Sequence, residues 1–211
     1  VYIFAGMQHP SDWRGWVLPA VPMLFMSFIL RGVIPEVLFF QRRSKTKKDS
    51  PAETGKPAPD FSLPDIEGKP VKLSDFRGKN HVLLVFVRGD WCPTCHIMIR
   101  MYEQNREKFL AKDIVTIGIS PESTETNRAM MERLGWKNML LADTKKEVAY
   151  KYGILFRENE KEKEAETNDG HALPASFLVD RSGVMRYMSR SDRAGEFLSP
   201  ALIFPVVENL S

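Results

Sequence analysis

Residues 81–96 read HVLLVFVRGDWCPTCH. The first part is almost continuously apolar, the mark of a short strand buried on both faces. Pro93 follows shortly after; proline is tolerated in the first turn of a helix, where its missing N–H leaves nothing unpaired. Cys92 therefore stands where a buried strand gives way to a helix N-terminus, and Cys95 lies one turn deeper. The free amides of that first turn stabilise negative charge on sulfur, and the thiolate is the form that attacks disulfides and peroxides. This arrangement assigns Cys92 as the nucleophile and Cys95 as the resolving thiol, within reach of a mixed disulfide or sulfenic acid formed on Cys92. Arg88 either adds positive charge near the sulfur or is a solvated rim arginine. Trp91 either shields the thiol or simply packs.

Outward from this stretch the pattern is regular. Residues 61–63 and 71–73, around turn residues Pro64-Asp65 and Glu67-Gly68, suggest a hairpin. A helix is expected over 93–112, a strand over 114–119, and a helix over 122–134 that Ser120 or Ser123 would cap. A short strand at 139–141, a helix over 145–152, strands at 175–179 and 184–188 around an Arg181-Ser182-Gly183 turn, and a terminal helix from about Ser199 complete the series. Strands that alternate with helices and then close in a hairpin predict an α/β fold whose central mixed sheet is flanked by helices. Residues 157–166 are a charge run, read as a solvated loop, a frayed helix extension or a partner-docking insert.

The chain has 211 residues, 43% hydrophobic and 27% charged, which excludes disordered, collagenous and disulfide-scaffold proteins. Its net charge of +3 is concentrated. Arg42, Arg43, Lys45, Lys47 and Lys48 crowd one short run, and the remainder sums to −2, so no nucleic-acid-binding body is expected. Before that run, residues 16–40 are apolar and would be roughly 37 Å long as one helix, against about 30 Å of bilayer hydrocarbon. Pro19, Pro22 and Pro35 interrupt them, and Arg31 and Glu36 would be costly at the bilayer centre. One kinked span and two short helices, lying in the membrane interface or docked on a membrane partner, both fit. A secretory signal fits less well, since the basic run follows the apolar stretch instead of preceding it. Residues 1–43 are thus an apolar helical membrane or docking segment, 44–58 a linker and 59–211 the α/β domain that carries the two cysteines. The basic run places that domain on the cytoplasmic face, or its matrix or stromal equivalent. An anionic leaflet would attract the same residues.

The residues themselves leave three readings of Cys92 and Cys95: a reactive dithiol, half of a metal site, or a haem attachment point. Cys92-Pro-Thr-Cys95-His96 spells the c-type haem signature, with His96 as axial ligand. Zinc would need two further ligands, and no second cysteine pair or close histidine pair is present. His171, three residues before Pro174, is a candidate for proton transfer at the dithiol or an ordinary loop histidine.

Residues 86–95 (FVRGDWCPTC), preceded by Ala58-Pro-Asp-Phe61 and Leu73-Ser-Asp-Phe-Arg-Gly78 and followed by Pro174-Ala-Ser-Phe-Leu-Val-Asp180, resemble the redoxin branch of the thioredoxin superfamily. That branch includes the alkyl hydroperoxide reductase and thiol-specific antioxidant proteins. The resemblance is strongest to peroxiredoxin-like members with an Arg-Gly-x-Trp-Cys-Pro-x-Cys box, and covers about residues 57–210. It implies a thioredoxin-like fold and an antioxidant thiol oxidoreductase or thiol peroxidase. It also implies a thiol reductant such as thioredoxin or a small thiol, a peroxide or protein disulfide substrate, and no cofactor. Pro174 would be a cis-proline facing the dithiol.

Several positions depart from that pattern. Where peroxiredoxins carry threonine or serine three residues before the reactive cysteine, and proline four residues earlier still, this chain has Gly89 and Val85. Cys92-Pro93-Thr94 matches the family's cysteine-proline-threonine, but Cys95 replaces its glutamate, and no arginine stands beside Pro174. The buried aspartate of thioredoxins, six residues before the first cysteine, is here Phe86, leaving Asp90 or a distant carboxylate to take its place. These losses support an alternative of another class: an accessory subunit of a membrane complex, with the redoxin body as a cap of little catalytic activity.

Overall fold

The computed structural model describes residues 52–156, 170–190 and 199–210. The 1–43 segment and the 157–166 charge run lie outside them. Among the described residues, no helix is long and apolar enough to cross a membrane.

The centre is β3 (His81–Phe86), six residues all buried, as its apolar run requires. It pairs in parallel with β4 (Ile114–Ser120), which pairs in parallel with β5 (Met139–Ala142). On its other side it pairs antiparallel with β8 (Ala175–Val179), which continues antiparallel to β9 (Met185–Arg190). The sheet order β5-β4-β3-β8-β9 is the mixed arrangement expected. Alternation along β3 divides the core in two. Val82, Leu84 and Phe86 face a cluster with Phe177, Ala149 and Tyr152; Leu83, Val85 and Val87 face one with Met98, Tyr102, Phe109 and Met130. Helix α1 (Pro93–Gln104) and α3 (Thr124–Leu134) supply residues to the second cluster, and α4 (Glu147–Lys151) to the first. Near the N-terminus, β1 (Ser62–Pro64) and β2 (Pro70–Lys72) form the expected hairpin.

Four boundaries differ from expectation. The helix over 93–112 is two helices, α1 and α2 (Arg106–Leu110), because the Asn105 side-chain amide donates to the Met101 carbonyl at 2.8 Å and leaves the helical path there. The cap of α3 is as expected, Ser123 of the two candidates, its hydroxyl accepting the Thr126 N–H. Part of the expected 44–58 linker belongs to the folded body: Ala52 and Ala58 are buried, and Gly55 and Lys56 exchange backbone hydrogen bonds with Met185 at the start of β9. Two short strands, β6 (Leu155–Phe156) and β7 (His171–Ala172), pair antiparallel and were not foreseen. The terminal helical region is a single turn at Pro200–Leu202 followed by α5 (Phe204–Val207).

Candidate active site

The chain leaves β3 at Phe86 and turns through residues 87–91 into α1, so the dithiol sits at the edge of the sheet where the parallel strands end. Cys92 is the N-cap of α1, and its sulfur accepts the Cys95 N–H at 3.3 Å. Cys92 and Cys95 are joined as a disulfide, 3% and 1% exposed, so the oxidised pair is almost fully enclosed. The Cys95 sulfur accepts the Arg88 backbone N–H at 3.4 Å. Each sulfur therefore has a backbone donor in place to stabilise thiolate charge once the bond opens. Thr94 is half-buried in the first turn between the two cysteines.

Arg88 and Trp91 stand at the mouth. Trp91 is 56% exposed, unusual for so large an apolar ring, and it does not lie buried over the sulfur. The Arg88 guanidinium lies 4.7 Å from the Trp91 ring centre, a cation–π contact. On the Trp91 ring, His171 makes an edge contact with centroids 6.1 Å apart. His171 thus reaches the site through Trp91. Pro93 and Ile97 are also exposed, which gives the enclosed disulfide an apolar surround.

Pro174 is buried between β7 and β8, next to Ala175, which is in register with Phe86. The expectation of a cis peptide there is overturned: no cis bond occurs among the described residues. The flanks explain this. Leu173 N–H is held by the Ile154 carbonyl at 2.8 Å, and Ala175 pairs with Arg190 in the ladder, so the chain runs extended through Pro174. Trans is also the ordinary preference for a bond preceding proline.

Asp90 does not replace the missing proton acceptor. Its carboxylate contacts Arg133 of α3 and lies 3.5 Å from His96 Nε2. That same nitrogen is 2.6 Å from the Asp90 carbonyl, an acceptor only, so it carries a hydrogen and donates. His96 is therefore engaged by the turn before the dithiol, which weighs against the axial-ligand reading, as does the enclosure of both sulfurs. Among the described residues, no three His, Cys, Asp or Glu side chains converge as metal ligands.

Sequence reasoning missed Glu122. Its Oε1 accepts the Asp90 N–H at 3.0 Å, so Asp90 is gripped at its amide, its carbonyl and its side chain. The signal was available: Glu122 follows β4, and a residue just past the end of a parallel neighbour of β3 arrives at the same edge of the sheet. The clamp also accounts for Gly89. Its φ is +142°, and a Cβ there would lie 2.5 Å from Glu122 Oε1 and 2.9 Å from the Trp91 indole nitrogen. A threonine at this position would strain the backbone and displace the Glu122 and Trp91 side chains. Beneath the dithiol, Tyr102 of α1 and Ser176 of β8 share a buried hydrogen bond of 2.6 Å, and burial pushes the Tyr102 hydroxyl pKa upward.

Comparison with known proteins agrees with this architecture. A model of the AhpC/TSA family matches residues 54–188. Peroxiredoxin-2 of Cricetulus griseus is 32% identical over 151 residues, covering 67% of this chain and 71% of its own. Thiol-disulfide oxidoreductase ResA of Bacillus thuringiensis subsp. konkukian is 26% identical over 181 residues, covering 85% of this chain and 94% of its own. The crystal structure of reduced 2-Cys peroxiredoxin from Plasmodium vivax superposes with a TM-score of 0.64 at 24% identity, covering 75% of this chain and 81% of that one, a likeness of fold.

Proposed function

This chain belongs to the AhpC/TSA family, and on that footing we propose that it catalyses thiol–disulfide exchange, with Cys92 as nucleophile and Cys95 as resolving thiol. Its relatives are peroxiredoxins and thiol-disulfide oxidoreductases, and the chain is an oxidoreductase of that thiol-based class. The observation that carries exchange over peroxide reduction is the closed Cys92–Cys95 pair at the start of α1, together with a glycine at position 89 in a backbone conformation that a threonine rarely adopts.

In the reducing direction, the Cys92 thiolate attacks one sulfur of a substrate disulfide. The substrate S–S bond breaks, a Cys92 mixed disulfide forms, and the leaving thiolate takes a proton. Cys95 then attacks Cys92 and releases the second thiol. Two electrons pass from the dithiol to the substrate, and the reverse sequence re-reduces the protein with an external thiol. Arg88 and the backbone donors at the two sulfurs stabilise the charge; Pro174 lines the floor beside Phe86. The test compares the rates at which reduced protein reacts with hydrogen peroxide and with a model disulfide. Exchange predicts that the disulfide is the faster substrate; a faster peroxide reaction that disappears in Cys92→Ser supports the peroxidase reading, which the peroxiredoxin relatives favour. Turnover with neither substrate would restore the reading of an inactive cap.

Membrane attachment through residues 1–43, with the dithiol on the side marked by the basic run, completes the proposal and rests on sequence pattern. It predicts that the full chain stays with membranes through carbonate washing when residues 1–43 span or dock tightly. Release by high salt alone would leave only the electrostatic surface reading.

A further inference from the structure

We propose that Arg88 is an anion subsite of the dithiol, and that the small partner exchanging with Cys92 and Cys95 is a thiol–disulfide couple bearing a carboxylate close to its sulfur. The inference rests on the exchange reading above and specifies its substrate.

It starts from a group left unsatisfied. Among the described residues, Arg88 Nε is buried without a hydrogen-bond partner, as are the Nε atoms of Arg106, Arg181 and Arg190, but those three guanidinium groups are engaged at another nitrogen, by Glu107, Asp113 and the Ala52 carbonyl. Among the described residues no carboxylate pairs with this guanidinium, whereas Arg106, Arg133, Arg181 and Arg186 each have one. The acids nearest the turn are committed elsewhere: Asp90 to Arg133 and His96, and Glu122 to the Asp90 amide. Burial without a counter-charge also draws the Arg88 pKa below its ordinary value. A half-buried cation with an idle donor is costly to keep, and the cost is recovered when an anion docks.

The geometry specifies the anion. Contact with the Trp91 ring at 4.7 Å holds the guanidinium against one side of the mouth. Its backbone N–H is already fixed on the Cys95 sulfur, which ties Arg88 to the reacting bond. A planar guanidinium presents parallel N–H groups that match a carboxylate, through charge-assisted bonds stronger than neutral ones. The enclosure of Cys92 favours a small molecule over a bulky one.

The reaction is balanced with such a thiol as reductant. Its thiolate attacks Cys92, the Cys92–Cys95 bond breaks, and Cys95 leaves as a thiolate and takes a proton. A second thiolate attacks the small-molecule sulfur of the mixed disulfide, freeing and protonating Cys92 and yielding the small disulfide. Two thiols lose two electrons and two protons, and the protein disulfide gains them.

The test measures reduction of the Cys92–Cys95 disulfide in the full chain by three probes of matched reach: mercaptopropionate, mercaptoethanol and cysteamine. Rates are read from the protein's thiol content after acid quenching and removal of the small thiol, and are expressed per thiolate. The subsite predicts that mercaptopropionate is favoured over both others by about tenfold. Added salt should shrink the ratio, Arg88→Lys should keep part of it, and Arg88→Gln should abolish it. Stabilisation of the Cys92 and Cys95 thiolates alone by Arg88 would change all three rates together and leave the ratio intact, which overturns the proposal. Equal per-thiolate rates in the wild-type protein overturn it as well, even if Arg88→Gln fails to fold, while leaving exchange itself standing. If none of the probes reduces the disulfide, the exchange reading falls and takes the subsite with it.

Discussion

The two edges of the central sheet treat charge differently. At the edge where β3 begins, Arg186 binds Asp180 at 2.5 Å and Arg181 binds Asp113 at 2.9 Å. Asp180 also accepts the Ser182 hydroxyl and the Val184 N–H; burial works against its charge, yet these partners together hold its carboxyl below the usual range. At the edge where β3 ends, Arg88 has no anion among the described residues, Trp91 stands exposed, and Gly89 takes a backbone conformation that side chains rarely adopt. One edge is locally satisfied and reads as structure. The other holds unsatisfied and strained groups around a reactive pair, which is where function is expected. The exceptions on that edge, among the described residues, are His81, buried with Nδ1 unpartnered, and Arg181, whose Nε is unpartnered although its terminal nitrogen pairs with Asp113.

The largest expected effect removes the difference by weakening both edges. Phe177 is fully buried between Phe86 and Tyr152, at ring distances of 5.6 and 5.0 Å. Phe177→Ala should cost about 3–5 kcal/mol in denaturant unfolding. Next, Gly89→Ala should cost about 1–3 kcal/mol through its backbone and the Glu122 clash, and Glu122→Ala should recover only the clash part in a double-mutant comparison. On the opposite edge, burial and then Arg181 hold the His81 imidazole below its ordinary 6.5. The unfolded chain takes up that proton first, so this contribution to stability is complete above the unfolded pKa and declines as the pH falls below about 6.5. His81→Phe should flatten the acid side of the stability curve, measured by urea unfolding across pH. Smallest is Arg181→Gln: its ion pair with Asp113 is exposed, and the loss should stay within about 1 kcal/mol. A larger loss there than at Gly89 would erase the contrast between the edges.

Much of this was legible in sequence because the informative signals are local. An apolar run gives β3, a proline after Cys92 gives the start of α1, and strands separated by helices give the mixed sheet. The failures share a physical cause. Asn105 ends α1 through a side-chain bond that competes with the helix, which hydrophobic periodicity does not register. The 55–56 stretch looks like linker because its partner, Met185 in β9, is remote in sequence. At the site, both cysteines, Arg88 and Trp91 could be named from one motif, whereas Glu122 and Arg133 reach Asp90 across 32 and 43 residues.

The division of labour between Cys92 and Cys95 is tested most directly by trapping. Cys95→Ser and Cys92→Ser proteins are reduced, mixed with a model disulfide, quenched with acid and analysed by mass spectrometry. Exchange through Cys92 predicts that Cys95→Ser accumulates a mixed disulfide on Cys92 that dithiothreitol releases, while Cys92→Ser stays largely unmodified. Equal labelling of the two variants, or none of either, would contradict it.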